Sequence, residues 1–238
     1  MQIFASTIFL RGWVPVLAVA FFPAVTADVA GQSTNAQHPA ANRQPSVPTN
    51  YSENGAIPMP SDRAADSYAI YSMLMPGEPF NGMAPDQTAR WAIAEITVNA
   101  ADRNPAVPPQ GQLKPPPENP RGFNEAVSDY ETNKSLRVRL AKDQLHIDHD
   151  FDLLSPDQVN ALRAAKSGSH VSTDAQAQWS GVPGITYFSA VYFDTKHAAA
   201  LVYMNDWCAH LCAAGTWVYL EKQGGHWVRR SGIISGGA

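Results

Sequence analysis

Two short segments of the chain hold residue types that could do chemistry. Residues 208–212, Cys-Ala-His-Leu-Cys, contain both cysteines of the protein. Residues 146–152, His-Ile-Asp-His-Asp-Phe-Asp, alternate acidic and imidazole side chains with apolar ones. Thiolates bind soft metals or exchange disulfides, whereas imidazoles with carboxylates bind divalent cations or move protons. Which chemistry applies depends on the compartment of the protein and on the elements that carry these residues.

The start of the chain indicates export. Arg11 precedes an apolar run over 13–22, and the small residues Ala24 and Ala27 follow a proline. We interpret residues 1–27 as a cleaved signal peptide, which predicts a secreted or periplasmic protein. No later run is long enough for a transmembrane helix, so we expect no stable membrane span after cleavage. An uncleaved N-terminal anchor is the alternative.

The two cysteines, Cys208 and Cys212, lie between two segments with strand patterns, where a hairpin tip is expected. In an exported protein they would meet an oxidising environment. A close pair of cysteines in an exported protein favours an intramolecular disulfide. A metal site that adds Asp206 and His210 remains an alternative, as do free thiols. A zinc site built from one short loop usually needs a second pair of ligands, and the chain has no other cysteine.

The acidic segment supports two interpretations. On a β-strand, one face would carry His146, Asp148, Asp150 and Asp152, which could bind a divalent cation. Alternatively, these side chains form the solvated face of an edge strand, with Ile147 and Phe151 buried. The second interpretation is favoured because the residues match no established metal signature. We expect no metal site and no cofactor, and we keep His146, Asp148 and Asp150 as the candidates if a metal binds.

Charge and motifs exclude several function classes. The chain has 17 Lys and Arg against 21 Asp and Glu, and it lacks a basic run interleaved with aromatics. Nucleic acid is therefore not an expected partner. No Gly-x-Ser-x-Gly, Ser-x-x-Lys, His-Glu-x-x-His or glycine-rich phosphate loop is present, so no catalytic residue can be assigned.

Composition divides the mature chain into a tether and a domain. Residues 28–60 are rich in Ser, Asn, Ala and Pro and predict a disordered tether. Residues 61–238 predict a single α+β domain. Seven of the seventeen residues in 104–120 are proline, which indicates a surface loop or an interdomain linker. We favour a loop because the part before it is too small to fold alone.

Helix signals occur at three places. Ser61 is a plausible N-cap of a helix that ends at Pro76-Gly77. Apolar residues from Phe123 to Tyr130 recur at helical spacing. In Leu154-Ser-Pro-Asp-Gln-Val159 the serine caps, the proline occupies the first helical position, the glutamine completes a capping box, and the flanking apolar residues form a staple.

Strand signals dominate the C-terminal part. Residues 91–98 predict a strand with Glu95 and Thr97 facing outward. The segments 185–193, 198–204, 215–222 and 226–230 alternate and are joined by short turns. They predict an antiparallel β-meander of about four to five strands with two to three helices on one face, an α+β fold. Its many aromatic residues are expected to fill the core.

The C-terminal segments resemble a group of proteins of unknown function. The resemblance rests on residues 188–193, 200–203, 208–213, 215–222 and 225–228. They are similar to the C-terminal hairpins of exported bacterial proteins in which a Cys-Gly-Gly-Leu-Cys-Gly turn precedes a Leu-Glu-Lys strand. This chain has Ala209, His210 and Ala213 where those glycines stand. The resemblance implies a disulfide-containing meander and carries no catalytic assignment.

Two functions from different classes follow. The first is an exported domain with a binding or structural role in the cell envelope, whose partner is an unidentified envelope ligand or protein. The second is a small exported metal-dependent hydrolase that uses residues 146–152. The two differ in whether those acidic side chains converge with a further histidine, such as His170 or His226, in a cleft.

Overall fold

The computed structural model describes residues 51–75, 90–103, 107–167, 173–209 and 212–230. The predicted signal peptide and the tether up to residue 50 lie outside these ranges. The helices are α1 Ser61–Leu74, α2 Pro120–Asn133, α3 Pro156–Lys166 and the short α4 Thr173–Gln178. The strands are β1 Ala56–Pro58, β2 Trp91–Ala94, β3 Arg137–Arg139, β4 Phe151–Leu154, β5 Ile185–Phe188, β6 Tyr192–Phe193, β7 Ala199–Ala209, β8 Cys212–Gln223 and β9 His226–Arg229.

A mixed seven-stranded sheet forms the centre of the fold. Its strand order is β4-β2-β5-β7-β8-β9, and β6 pairs with β7. The strands β5, β7, β8 and β9 are antiparallel, as the meander predicts. The strands β4, β2 and β5 are parallel to one another. A separate two-stranded parallel sheet joins β1 to β3. The α+β class is confirmed, whereas a simple antiparallel meander is wrong.

Helices cover both faces of the sheet, which corrects the prediction of a single covered face. Successive residues of β7 alternate between two apolar cores, with Leu201 and Tyr203 in one and Val202 and Met204 in the other. The helices α2 and α3 pack into the first core, and α1 packs into the second. A sheet buried on both sides needs apolar residues on both faces, and β7 provides them.

The segment predicted as a strand over 91–98, which contains β2, shows the same effect. The predicted outward position Thr97 is 1 % exposed, and Ile93 is fully buried although it alternates with the predicted inward residues. Thr97 satisfies its buried hydroxyl by accepting a hydrogen bond from the Val138 amide at 2.8 Å. The strand ends at Ala94 and not at the predicted residue 98, and Ile96 and Val98 make only isolated bridges, to Arg139 and Ser189. The strand β2 itself is central and parallel to both of its neighbours, which explains why both of its faces are apolar.

Two helix starts illustrate how the local signals perform. The capping box of α3 is present as predicted, with Ser155 and Gln158 satisfying each other's backbone amides. For α1 the N-cap is Pro60, and no side chain caps the helix, so the assignment of Ser61 as N-cap is wrong. A proline with an extended backbone can end the preceding segment without a capping hydroxyl.

The folded part begins before the predicted boundary at Ser61. Residues 51–60, assigned above to the tether, contain β1 and bury the Tyr51 side chain to 5 % exposure. The Tyr51 hydroxyl accepts a hydrogen bond from the Ile96 amide at 2.6 Å and donates to the Ile96 carbonyl. The buried Tyr51 and the pairing of β1 with β3 attach this segment to the domain, and neither contact is visible in an average composition.

The proline-rich segment, described from residue 107 onward, packs against β8. Trp217 donates its indole N–H to the Val107 carbonyl and its backbone N–H to the Gln112 side chain, both at 2.9 Å. Leu113 is buried. The last proline, Pro120, is the first residue of α2. In the described parts of the chain, no helix is long and apolar enough to cross a membrane.

Candidate functional site

A groove of about 320 Å³ opens between α1, α2 and the turn that follows β6. The helix α1 contributes Arg63, and the turn contributes residues 193–195 and His197. The helix α2 contributes the polar side chains of Glu125, Ser128, Asp129 and Thr132. Its wall is therefore polar except for the ring of Phe193. A volume of this size lies at the lower end of the range for small-molecule sites.

The carboxylate of Asp129 joins the three elements. It accepts hydrogen bonds from the two terminal guanidinium nitrogens of Arg63, at 2.7 and 2.8 Å, and from the backbone amide of Phe193 at 2.9 Å. Asn133 supplies a fourth hydrogen bond at 2.7 Å. The hydrogen bonds that Arg63 donates to Asp129 raise the pKa of Arg63. Because all four bonds are made, Asp129 holds the groove together and has no free lone pair directed at a ligand.

Glu125 fixes the outer end of the turn. Its carboxylate accepts the Thr195 hydroxyl at 2.6 Å and the Thr195 amide at 3.2 Å, and it pairs with Arg121 at 2.6 Å. These bonds, the Thr195 hydroxyl first, lower the pKa of Glu125 to about 2. The carboxylate thus stays ionised over the physiological range, and the turn remains attached to α2.

Asp194 closes the turn onto itself. Its carboxylate accepts the amides of Ala198 and Ala199 at 2.7 and 2.9 Å, and its carbonyl accepts the amide of His197 at 3.1 Å. His197 consequently adopts a left-handed backbone with φ of 51°. A non-glycine residue in this conformation costs free energy and is concentrated at functional positions.

The imidazole of His197 is positioned on two sides. Its ring stacks on Phe193 with centroids 4.5 Å apart and planes 11° apart. Its Nδ1 lies 3.5 Å from a carboxylate oxygen of Asp66. Asp66 accepts Lys222 at 2.6 Å and the indole N–H of Trp227 at 3.0 Å. Burial raises the pKa of Asp66, but these two bonds outweigh it and lower the pKa overall.

This arrangement leaves His197 Nε2 and the hydroxyl of Ser128 for a ligand. Within the described residues, neither group has a hydrogen-bond partner. An imidazole with a carboxylate behind it can accept or donate a hydrogen bond, and it can also transfer a proton. The groove can therefore bind a polar ligand through an oriented imidazole, a hydroxyl and an aromatic surface.

The predicted metal candidates do not converge. His146, Asp148 and Asp150 are exposed and lie in irregular backbone with a bend at residues 148–149, and the strand begins only at Phe151. The strand that the metal interpretation requires over 146–150 does not form, because this part of the backbone makes other hydrogen bonds. The His146 amide donates to Ser72, and the Asp150 carbonyl accepts from β2. Among the described residues, no three metal-ligating side chains come together.

The other side chains named as possible ligands do not join residues 146–150 in a common site within the described chain. Asp152 pairs with Arg90 at the end of β2. His226 is exposed on β9, and His170 lies outside the described residues. The hydrolase alternative therefore gains no cleft in the described part of the chain.

The cysteines lie at the tip of the β7–β8 hairpin. Ala209 pairs with Cys212, and the register shifts by one residue just before this pair. His210 and Leu211 and the side chain of Cys212 are outside the described residues, so the disulfide stays a prediction. Asp206, which the metal alternative used as a ligand, instead accepts the Thr186 hydroxyl at 2.6 Å.

The sequence reasoning missed the groove residues. The structure confirms the turn predicted at 194–197. Nothing in the sequence of that turn indicates that His197 lines a groove. Arg63, Asp66 and Asp129 belong to no motif and are distant in the chain. The predicted core role of the aromatic residues is confirmed, since all seven of those in the meander are buried: Tyr187, Tyr192, Tyr203, Trp207, Trp217, Tyr219 and Trp227.

Comparison of the chain with protein-family models, with curated proteins and with solved structures finds no match. The function is therefore argued from the geometry of the groove.

Proposed function

We propose that this protein is an exported binding domain of the cell envelope and that the groove between α1, α2 and the 193–197 turn is its ligand site. Export is inferred from the signal-like start of the chain. The observation that carries the binding role is His197, whose ring is held in a left-handed turn at the groove with Nε2 unoccupied. Histidine tolerates this conformation and, unlike glycine, adds a ring that lines the groove.

The charges of the groove define the ligand class. Arg63 is neutralised by Asp129, and Glu125 is neutralised by Arg121, which leaves the carboxylate of Asp194 in the wall. An anionic ligand would meet this carboxylate without a free cation to compensate. The ligand is therefore a neutral or cationic polar molecule, or a side chain or sugar unit of a larger one, that fits about 320 Å³.

The framework of the groove supports binding rather than catalysis. The carboxylates of Asp129, Glu125 and Asp194 all accept hydrogen bonds from the protein, and the pKa of Glu125 is lowered to about 2, so Glu125 cannot act as a general acid near neutral pH. A rigid wall with few free polar groups is suited to recognition, because little side-chain freedom is lost when a ligand binds.

The test is a ligand screen followed by a matched pair of variants. Thermal-shift screening of the mature protein against sugars, amines, amino acids and phosphates should select neutral or cationic compounds. His197→Asn keeps a residue that tolerates the left-handed backbone but removes the imidazole. We expect this variant to melt like the wild type and to bind the selected compound at least about tenfold more weakly, equivalent to about 1.4 kcal/mol.

The control is Lys196→Ala, which changes an exposed neighbour in the same turn that does not line the groove. Titration calorimetry should give wild-type affinity for this variant. If a compound binds tightly and both His197→Asn and Ser128→Ala bind it as the wild type does, the ligand site is elsewhere and the proposal is refuted.

A further inference from the structure

Arg103 is a buried cation that forms no ion pair with a carboxylate in the part of the chain that the structure describes. It follows the 3₁₀ turn after β2 and is 7 % exposed. Its two hydrogen bonds are long: Nη2 donates to the Tyr130 hydroxyl at 3.3 Å and Nη1 to the Val107 carbonyl at 3.4 Å. The adjacent residue Asp102 forms its salt bridge with Arg137. Within the described residues, no acidic side chain forms an ion pair with Arg103.

Aromatic rings surround the guanidinium. Its central carbon lies 4.7 Å from the ring centroid of Tyr203, 4.9 Å from that of Trp217 and 5.8 Å from that of Tyr130. Tyr192 packs on the same rings, 5.2 Å from Tyr130 and 6.1 Å from Trp217. We call Arg103 and these four aromatic residues the arginine cage. None of its members is more than 8 % exposed.

Two donors in the arginine cage have no acceptor. The Nε of Arg103 and the hydroxyl of Tyr192 are buried without a hydrogen-bond partner in the described structure. Burial raises the pKa of Tyr192, and the positive charge of Arg103 opposes this effect in part, so the two groups interact electrostatically. Buried polar groups without partners are rare and point to an ion, a water or a functional role.

The chemistry of these donors selects an anion. A buried full charge is costly unless an opposite charge or good hydrogen bonds compensate it, and cation–π contacts supply part of that compensation. They do not supply an acceptor for the Nε–H. A water molecule would satisfy the donors but not the charge. A large oxyanion would meet a wall of aromatic rings that offers few further donors.

We propose that the arginine cage binds one small monovalent anion of the chloride type between the Arg103 Nε–H and the Tyr192 hydroxyl. The anion would neutralise the buried charge and fix the proline-rich segment, whose Val107 carbonyl also contacts Arg103, onto the sheet. This site is separate from the groove and does not depend on the proposed function.

Thermal unfolding of the mature protein at constant ionic strength tests the site. Replacing gluconate stepwise by chloride should raise the midpoint by about 3–5 °C for each tenfold increase in chloride above the dissociation constant. Bromide should act as chloride does. A midpoint that is independent of anion identity would overturn the proposal.

Variants locate the effect. Arg103→Met removes the charge and should abolish the chloride dependence, whereas Arg121→Met, which removes an exposed arginine of α2, should retain it. Tyr192→Phe keeps the ring and removes only the unpaired hydroxyl, so it should weaken chloride binding at least tenfold. If Tyr192→Phe leaves the chloride dependence unchanged, the assigned site is wrong.

A direct observation covers the case in which Arg103→Met does not fold. Crystals of the wild-type protein grown in bromide should show an anomalous peak within hydrogen-bond distance of Arg103 Nε. An empty position, or a position filled only by a water without anomalous signal, refutes the proposal.

Discussion

Asp206 gives the sharpest test of the energetics of the sheet. It lies on β7, paired with Thr186 on β5 and Ala214 on β8. Burial raises the pKa of its carboxyl group to about 6, although the hydrogen bond from the Thr186 hydroxyl at 2.6 Å acts in the opposite direction. The folded protein therefore holds a proton on Asp206 at a pH where the unfolded chain has lost it.

The sign and size of the effect follow from this difference. The ordinary pKa of the group is 3.8, so the raised value favours the folded state below pH 3.8 and the advantage is lost as pH rises through about 6. A difference of about two pH units corresponds to about 3 kcal/mol. Above pH 6 the wild-type protein should be less stable by about this amount than a protein with a neutral group at Asp206.

The perturbation is Asp206→Asn, which keeps an oxygen to accept the Thr186 hydroxyl but cannot ionise. We expect the variant to exceed the wild type in unfolding free energy by about 2–3 kcal/mol near pH 8 and to approach it near pH 4. Urea unfolding of both proteins over that pH range measures the difference. Other acids, such as Glu125, contribute equally to both proteins and cancel.

The control is Asp148→Asn, which neutralises an exposed acid. It should leave the stability difference from the wild type near zero and flat with pH. If the gap between Asp206→Asn and the wild type does not widen as pH rises, the carboxylate is solvated in the folded state and the argument from burial is refuted.

Three further predictions follow from the packing. A chain that starts at Ser61 lacks the buried Tyr51 and β1, so its thermal midpoint should fall by about 6–12 °C. An unchanged midpoint would show that the folded domain begins at Ser61 after all. Gly215→Ala would place a methyl group 1.8 Å from a buried tyrosine hydroxyl and should cost about 1–3 kcal/mol in urea unfolding, whereas Gly181→Ala, which has open space, should cost little. The cysteine pair at the tip should form a disulfide, and alkylation of the native mature protein followed by mass spectrometry should find no free thiol.

Local signals predicted local structure well. The capping box at Ser155, the turn at 194–197 and the long C-terminal hairpin all depend on residues close in sequence, and all are present. The parallel strands β2 and β4 were not foreseen as partners. Their pairing joins residues about sixty positions apart, and no short-range pattern encodes such a contact.

The groove could not be predicted for the same reason. Arg63 and Asp129 meet across 66 residues, and His197 meets Asp66 only after α1 has packed on the sheet. The acidic residues of 146–152 are adjacent in the chain, yet His146, Asp148 and Asp150 are exposed before β4, whereas Asp152 lies on β4 and pairs with Arg90. Chemistry in this fold depends on tertiary contacts that bring single, isolated polar residues together.

The position of β2 also constrains the order of assembly. Residues 91–94 pair with residues 151–154 on one side and with β5, which begins at Ile185, on the other. During synthesis this strand emerges with neither neighbour available, and it cannot be enclosed until most of the chain has left the ribosome. Contacts of such long sequence separation slow folding. The centre of the sheet is consequently completed late, after the C-terminal hairpin has been synthesised.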